Sequence, residues 1–313
     1  MSNTREKTIN YFNDLDTFAR KELKYHGIKR NCPICGIDNQ DIALPKAKYV
    51  FVKCKKCGLT YIKNILPDTD TFYENNKKYE EGWRNTNIQK TKELDPQEKR
   101  ILKSVKNRGN LLDIWCGFGR TLYHFKDYFG SVEGIELNEY ISKIGRDLFG
   151  VKITKDIEVL EDSSYDCIIL HQVIEHLASF DLFKKVHKLL NKDGKVFIGC
   201  PFMDSLSMRI LKQKHIHVQS IAHINMFNFK SFKAFAKKYG FKIESIKTDN
   251  NIDVRLSDFL CIKKGNFFHR HNRIRFNRFS SAIFLLTNFF LEKTNLLSKM
   301  KLGSYLEVVL VKE

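Results

Sequence analysis

The sequence predicts an α/β protein whose main domain is a mostly parallel sheet and whose N-terminal part is a small four-cysteine module. From residue 110 onward, short β-branched runs alternate with helical stretches of about 10–15 residues, which is the pattern of βαβ units. A glycine-containing turn follows the first of these runs. Two Cys-x2-Cys pairs lie upstream of it.

The predicted elements divide the chain near residue 84. Residues 1–84 hold an amphipathic helix, predicted over 1–30, and the four-cysteine module, whose cysteines fall in 31–63. Residues 85–313 hold the α/β domain, with a helix over about 89–105 and a basic, aromatic-rich insert over about 251–302. Seven strands are predicted, over 111–115, 132–137, 151–154, 166–170, 195–200, 241–247 and 305–311. Helices are predicted between them over 121–128, 140–149 and 182–190.

The charge of the chain is high for an otherwise ordinary composition. Its 313 residues are 42% hydrophobic and 29% charged, with a formal net charge of +18. The charge favours a polyanionic partner, whereas a bias toward Lys, Asn, Ile and Phe explains it as well, because basic residues are spread along the chain. No export signal begins the chain, and the longest apolar stretch, 282–291, is about half the length that spans a bilayer. We therefore expect a cytoplasmic protein whose cysteines are thiols or metal ligands.

The turn after the first predicted strand is typical of a cofactor site. An apolar strand ends at Trp115, and Cys116-Gly117-Phe118-Gly119 then opens a helix. Ligands of open α/β sheets bind at such carboxyl ends, where glycine lets a ligand approach the backbone. The next strand ends at Glu136, whose carboxylate can accept hydrogen bonds from both ribose hydroxyls of a nucleoside cofactor.

These motifs resemble those of the class I methyltransferases, which bind S-adenosylmethionine. The resemblance implies a Rossmann-like sheet of seven mostly parallel strands, in which the loop cradles the methionine part of the cofactor and the acid after the second strand holds the ribose. The cofactor-binding residues that it implies are Asp113, Cys116, Gly117, Gly119, Glu136, Asp156, Ile157 and His171. Of these, Asp156 and Ile157 follow the third strand and would border the adenine.

Trp115 departs from the family pattern, which usually has glycine in that position. A large side chain there would crowd the cofactor, although related methyltransferases of RNA uridines tolerate Tyr or Phe. A nicotinamide-binding Rossmann domain, the alternative interpretation, would need Gly-x-Gly-x-x-Gly, which is not present here.

The second half of the domain resembles the same family in the expected order. Residues 165–177, which end in Glu175-His176-Leu177, resemble its fourth-strand motif, and residues 192–201 resemble the following turn and strand. Residues 223–227 resemble the loop on the substrate side, here named the substrate-side segment. Residues 238–241 resemble the entry to the sixth strand.

The four upstream cysteines have the spacing of a metal site. Cys32 and Cys35 form one pair and Cys54 and Cys57 the other, so that two tight turns can close a tetrahedral site. Four protein ligands leave no open position, so we predict a structural zinc ion, with a rubredoxin-type iron as the alternative. The other cysteines in apolar runs, Cys167, Cys200 and Cys261, are predicted to be core residues. The module, with Cys57-Gly58-Leu59 and a tyrosine-rich linker, resembles that of bacterial methyltransferases encoded with sugar or polysaccharide genes.

Histidines near the predicted site are candidates for the chemistry. Methyl transfer to a hydroxyl requires removal of a proton, and His176 and then His223 are the predicted catalytic bases. A purely structural role for His176, packing the turn after the fourth strand, is an equal alternative. Small-RNA methyltransferases use a Glu-x-x-Glu-His metal site here, but Gln172 replaces the first Glu, so we predict no catalytic metal.

Three functions are consistent with these patterns. The first is methyl transfer to a hydroxyl of a sugar, glycan or other small molecule. The second is an RNA methyltransferase, favoured by the charge and the zinc module. The third is a non-catalytic binding protein whose cofactor pocket Trp115 has closed. The basic stretch 263–291 is a candidate contact for an anionic polymer or a membrane surface, or an insert that covers the substrate.

Overall fold

A computed structural model describes residues 27–45, 47, 49–66, 80, 90–219, 222–249 and 294–313. The chain forms two compact units, one of residues 1–65, 200–231 and 246–307 and the other of residues 66–199, 232–245 and 308–313. Residues 1–26 of the helix predicted over 1–30, the boundary near residue 84 and the basic stretch 263–291 lie outside the described residues. Among those described, no helix is both long enough and apolar enough to span a bilayer.

The described elements alternate along the chain much as predicted. The strands are β1 (Ile28–Lys29), β2 (Gln40–Ile42), β3 (Phe51–Cys54), β4 (Thr60–Ile62), β5 (Asn64–Ile65), β6 (Asn110–Ile114), β7 (Ser131–Ile135), β8 (Lys152–Thr154), β9 (Tyr165–His171), β10 (Leu190–Pro201), β11 (Asn225–Met226), β12 (Phe241–Thr248) and β13 (Tyr305–Lys312). The helices are α1 (Pro96–Ser104), α2 (Arg120–Phe125), α3 (Glu139–Phe149), α4 (Leu182–Leu189), α5 (Leu206–Leu211), α6 (Ile216–Gln219), α7 (Phe229–Lys238) and α8 (Leu296–Lys299).

A seven-stranded sheet in the order β12-β13-β10-β9-β6-β7-β8 confirms the predicted fold class. The pairs β6–β7, β6–β9, β7–β8 and β9–β10 are parallel. Leu111, Leu112 and Ile114 of the central β6 are buried, as expected for a strand covered on both faces. All seven predicted strands are present, and the parallel strands β6 and β7 bring the glycine loop and Glu136 to one edge of the sheet.

Local sequence decides where the helices begin. The helix predicted from about residue 89 starts only at Pro96, because Asp95 and Glu98 form a reciprocal capping box and proline fixes the first turn. Asn138 caps α3 by accepting a hydrogen bond from Ile141 N (3.1 Å). The predicted N-terminal helix is wrong over residues 28–29, which instead pair with β5 as the short strand β1.

A second, four-stranded sheet is built around the cysteines. Its order is β11-β4-β3-β2, with antiparallel pairing throughout. Three of its strands come from the four-cysteine module, whereas β11 comes from the substrate-side segment more than 160 residues later. Phe51, Leu59 and Tyr61 are fully buried around it.

Candidate functional site

Backbone hydrogen bonds fix the loop after β6, where the sequence predicts a cofactor site. Cys116 N donates to Ile135 O of β7 (3.0 Å), and Gly119 N donates to Cys116 O (3.0 Å), so the loop is fixed to the neighbouring strand and closed on itself. Gly119 has a φ of +74°, and a Cβ there would lie 2.9 Å from Val151 Cγ2. Only glycine therefore fits at the start of α2.

Glu136 and Gly117, two of the predicted cofactor residues, are joined directly. Gly117 N donates to Glu136 Oε2 (3.0 Å), and Asn138 N donates to Glu136 Oε1 (2.9 Å). Each carboxylate oxygen can accept a further hydrogen bond. A Cβ on Gly117 would meet nothing within 4 Å, so the loop surface beside this carboxylate is open. Burial raises the pKa of Glu136.

Asp113 lies beneath the loop at the end of β6 and is buried. Burial first, and then the charges of Glu98 and Glu136, raise its pKa to about 8. Asp113 is therefore mainly protonated near neutral pH. Burial also raises the pKa of the half-buried Cys116 thiol well above its usual value, which makes this cysteine a poor nucleophile.

Trp115, which directly precedes the glycine loop, has a left-handed backbone. Its φ is +59°, in the left-handed region that glycine adopts without cost. Gln172, just after the adjacent strand β9, has a φ of +60°, and its N–H donates to Gly199 O (2.8 Å). Two non-glycine residues in this strained conformation lie at the carboxyl ends of neighbouring strands, where backbone strain commonly marks a functional site. The sequence gives no signal for the strain at Gln172.

His176 lies in the turn between β9 and α4, close to two other groups. Its ring centroid is 6.5 Å from that of Trp115, with 31° between the planes, and its Nε2 is 4.0 Å from Glu175 Oε1. Glu175 is fully buried, and within the described part of the chain neither of its carboxylate oxygens has a hydrogen-bond partner. Burial raises the pKa of Glu175 to about 8.

The remaining cofactor candidates lie at other strand ends. His171 is the last residue of β9 and is half-buried. Asp156 is exposed after β8, and its carboxylate accepts from Glu158 N (2.8 Å), while Ile157 is half-buried. The structure therefore joins Glu136 to the glycine loop by hydrogen bonds, and places Asp156 on the surface beyond β8.

His223 belongs to the other compact unit, where it is part of a histidine cluster. Its Nδ1 is 2.9 Å from Nδ1 of His217, and the ring centroids are 4.7 Å apart. The backbone N of His217 donates to His215 Nδ1 (3.3 Å). The other ring nitrogen of His215, Nε2, lies 3.2 Å from Ser207 Oγ. Sequence reasoning missed His215 and His217, although their alternate spacing was the available signal.

The four predicted metal ligands converge. Their sulfur atoms all lie within 4.8 Å of one another, with 3.4 Å separating the sulfurs of Cys32 and Cys57 and of Cys35 and Cys54. Tetrahedral thiolates around zinc are about 3.8 Å apart, given Zn–S bonds of about 2.3 Å. The donor set therefore fits a cation that would hold all four as thiolates.

A comparison with protein families places a known domain on this region. The model of a family described as a methyltransferase domain matches residues 86–246, more than half of the chain. The matched range contains the loop after β6, Glu136 and His176. A comparison with curated protein sequences finds no match.

Solved structures similar to this chain include three methyltransferases. A S-adenosylmethionine-dependent methyltransferase from Archaeoglobus fulgidus is 18% identical, with a TM-score of 0.47 over 69% of this chain and 91% of that one. Phosphoethanolamine N-methyltransferase 2 from Haemonchus contortus is 18% identical, with a TM-score of 0.47, and the match covers 81% of this chain and 63% of that one. Geranyl diphosphate C-methyltransferase from Streptomyces coelicolor is 15% identical, with a TM-score of 0.42, and the match covers 68% of this chain and 76% of that one. At such identities no substrate is transferred to this chain.

Proposed function

Because the chain belongs to the methyltransferase domain family, we propose that it transfers a methyl group from S-adenosylmethionine to a hydroxyl of a sugar, glycan or other small molecule. The observation that carries the proposal is the hydrogen-bonded pair of Gly117 and Glu136 at the carboxyl end of the central strands. A buried carboxylate fixed beside an open glycine loop suits a nucleoside cofactor, whose ribose offers two hydroxyl donors.

The cofactor fits the residues present. Glu136 would accept from the ribose hydroxyls through the acceptor capacity that its two backbone hydrogen bonds leave. The loop 116–119 would hold the methionine part, over the open surface at Gly117. When bound, S-adenosylmethionine supplies an electrophilic methyl group on its sulfonium sulfur. The protonated Asp113 beneath the loop adds no net charge to this site near neutral pH.

A histidine would remove the proton of the methyl-accepting hydroxyl. Beside the first candidate, His176, lies the buried carboxyl of Glu175, whose pKa burial raises to about 8, with 4.0 Å between Glu175 Oε1 and His176 Nε2. A neutral imidazole accepts a proton on its unprotonated ring nitrogen. His223 is the second candidate, with its Nδ1 against His217 Nδ1.

The four-cysteine module would bind a structural zinc ion through Cys32, Cys35, Cys54 and Cys57. The distances between their sulfurs support this assignment. With four protein ligands the ion keeps no open position, so it would hold the fold and take no part in methyl transfer.

Calorimetry with S-adenosylmethionine tests the cofactor assignment. We expect saturable binding to the wild-type protein and, in Glu136→Ala, a loss of affinity of at least about 150-fold, because two hydrogen bonds to a charged carboxylate are worth about 1.5–3 kcal/mol each. The control is Glu139→Gln, which alters an exposed carboxylate three residues away that pairs with Arg146. An absence of saturable binding to the wild type would reject the proposal.

The class of methyl acceptor needs a separate screen. Label transfer from methyl-tritiated S-adenosylmethionine should appear in sugar nucleotides or lipid-linked glycans. Labelling of total RNA alone, with RNA affinity falling steeply as salt increases, would replace the proposed acceptor with RNA.

A further inference from the structure

The substrate-side segment (residues 223–227) is folded into the cysteine sheet. Asn225 pairs with Tyr61 and Met226 with Thr60, and Ile62 N donates to Ile224 O (3.0 Å). Asn225, Met226 and Phe227 are buried. A two-residue strand contributes little stability by itself, so its position must depend on side-chain contacts around it.

Arg30 makes one set of these contacts. Its Nε donates to Ile62 O (3.1 Å) on β4, and its second guanidinium nitrogen donates to Ile224 O (2.7 Å) and to Asn225 Oδ1 (3.0 Å). The guanidinium carbon lies 5.4 Å from the centre of the Tyr61 ring. The planar guanidinium thus bridges two strands, two residues before the first cysteine of the module.

Asn228 makes the second set of contacts with the two ends of its amide group. Its Nδ2 donates to Gly58 O (3.2 Å), and its Oδ1 accepts from Ser231 N (2.8 Å) at the start of α7. Gly58 directly follows Cys57, has a φ of +78°, and donates from its N–H to Cys54 O (2.9 Å). Asn228 therefore holds a cysteine turn at one end and caps a helix at the other.

His223 lies one residue before the first of these contacts. Its Nδ1 is 2.9 Å from that of His217, so a shift of the strand would separate the two imidazoles. On this geometry we infer that Arg30 and Asn228 are positioning residues, which join the four-cysteine module to the substrate-side segment so that metal binding by the cysteines and the position of His223 are coupled. The inference rests on the proposed function for the roles of His223 and the metal.

Coupling of this kind is reciprocal. If the metal-bound module holds the segment in place, then loosening the segment must weaken metal retention by the same free energy. The two effects can be measured separately, as amide exchange in residues 222–231 and as the rate at which a chelator removes zinc.

Asn228→Asp is the sharpest variant for this test. Aspartate caps a helix as well as asparagine does, so the bond from Ser231 N survives. In the aspartate, however, a carboxylate oxygen replaces the Nδ2 that donates to Gly58 O, and the two oxygens repel each other. We expect amide exchange across residues 222–231 to rise at least about 10-fold and zinc removal by chelator to accelerate at least about 5-fold, because the lost bond is buried.

Arg30→Met provides an independent second variant, and Lys29→Met is its matched control. Lys29 is exposed in the adjacent position, so its replacement removes the same charge without touching the substrate-side segment. We expect both effects in Arg30→Met and neither in Lys29→Met. Unchanged exchange and unchanged zinc retention in both Asn228→Asp and Arg30→Met would overturn the inference.

Calorimetry with S-adenosylmethionine on the same samples separates this inference from the proposed function. We expect the affinity of the variants to stay within about twofold of the wild type, because none of them alters the glycine loop or Glu136. A wild-type protein that fails to bind the cofactor rejects the proposed function, whereas the exchange and metal measurements decide the coupling by themselves.

Discussion

At the scale of single residues, the main departure from the family pattern is Trp115. The backbone there is left-handed, so the position suits glycine, and a tryptophan holds it only at a cost of about 1–3 kcal/mol. The indole lies beside His176, with ring centroids 6.5 Å apart. We interpret the strained residue as part of the site, because its packing against a candidate base is what the strain maintains.

Two substitutions of Trp115 separate the backbone strain from the side-chain packing. Both Trp115→Gly and Trp115→Ala remove the indole, but only glycine tolerates the φ of +59°. The glycine variant should therefore be more stable than the alanine variant by about 1 kcal/mol, opposite to the order in a helix or strand interior. Urea unfolding of the two proteins measures this difference. An alanine variant as stable as the glycine variant would mean that the position is not strained.

At the scale of elements, two tight turns bring the metal candidates together. Each Cys-x2-Cys turn ends at a glycine of positive φ, Gly36 (+72°) and Gly58 (+78°), which lets the chain reverse beside the thiols. The strands β3 and β4 on either side of the second turn anchor it to the cysteine sheet. The site is therefore a property of the turns and the sheet together.

Metal analysis of cysteine variants tests this element. We expect about one zinc ion per chain in the wild type and its loss in Cys35→Ser, because structural zinc needs all four ligands. Cys167→Ala is the matched control, since Cys167 is fully buried in β9 among core residues. Mass spectrometry of the purified proteins gives the zinc content. Zinc retained in Cys35→Ser, or lost in Cys167→Ala, would contradict the assignment.

At the scale of the whole molecule, the buried acids have an effect on stability. Burial raises the pKa of Asp113 and of Glu175 to about 8 and also raises that of Glu136. Between the ordinary carboxyl pKa and the raised value, the folded protein binds more protons than the unfolded chain. The contribution of these groups to stability therefore falls as pH rises from about 4.5 to about 8 and is constant above that.

Glu175→Gln isolates one of these contributions. The amide cannot ionise, so the variant lacks the cost of burying a charge. We expect the stability of the variant relative to wild type to increase by at least about 1 kcal/mol between pH 5 and pH 8. Urea unfolding across this range measures it, with the exposed Glu161→Gln as the control. Parallel curves for wild type and Glu175→Gln would show that Glu175 is ionised in the folded protein.

Most of the fold could be predicted from the sequence. The seven strands follow from local apolar runs, and the glycine loop and the cysteine pairs follow from residue spacing over a few positions. Glu136 followed from its place at the end of the second strand, because adjacent parallel strands end at the same edge. The start of α1 was misplaced because an apolar periodicity does not locate a helix cap.

The sequence by itself determined the α/β class, the glycine loop with its acidic partner Glu136 and the grouping of the cysteines, since these depend on local patterns. Only the tertiary structure decided the left-handed backbone of Trp115, the burial of the Glu175 carboxyl without a hydrogen bond among the described residues, and the pairing of β11 with β4. The physical reason is that strain, burial and strand pairing arise between segments far apart in the chain. Their energies depend on neighbours that no local pattern specifies.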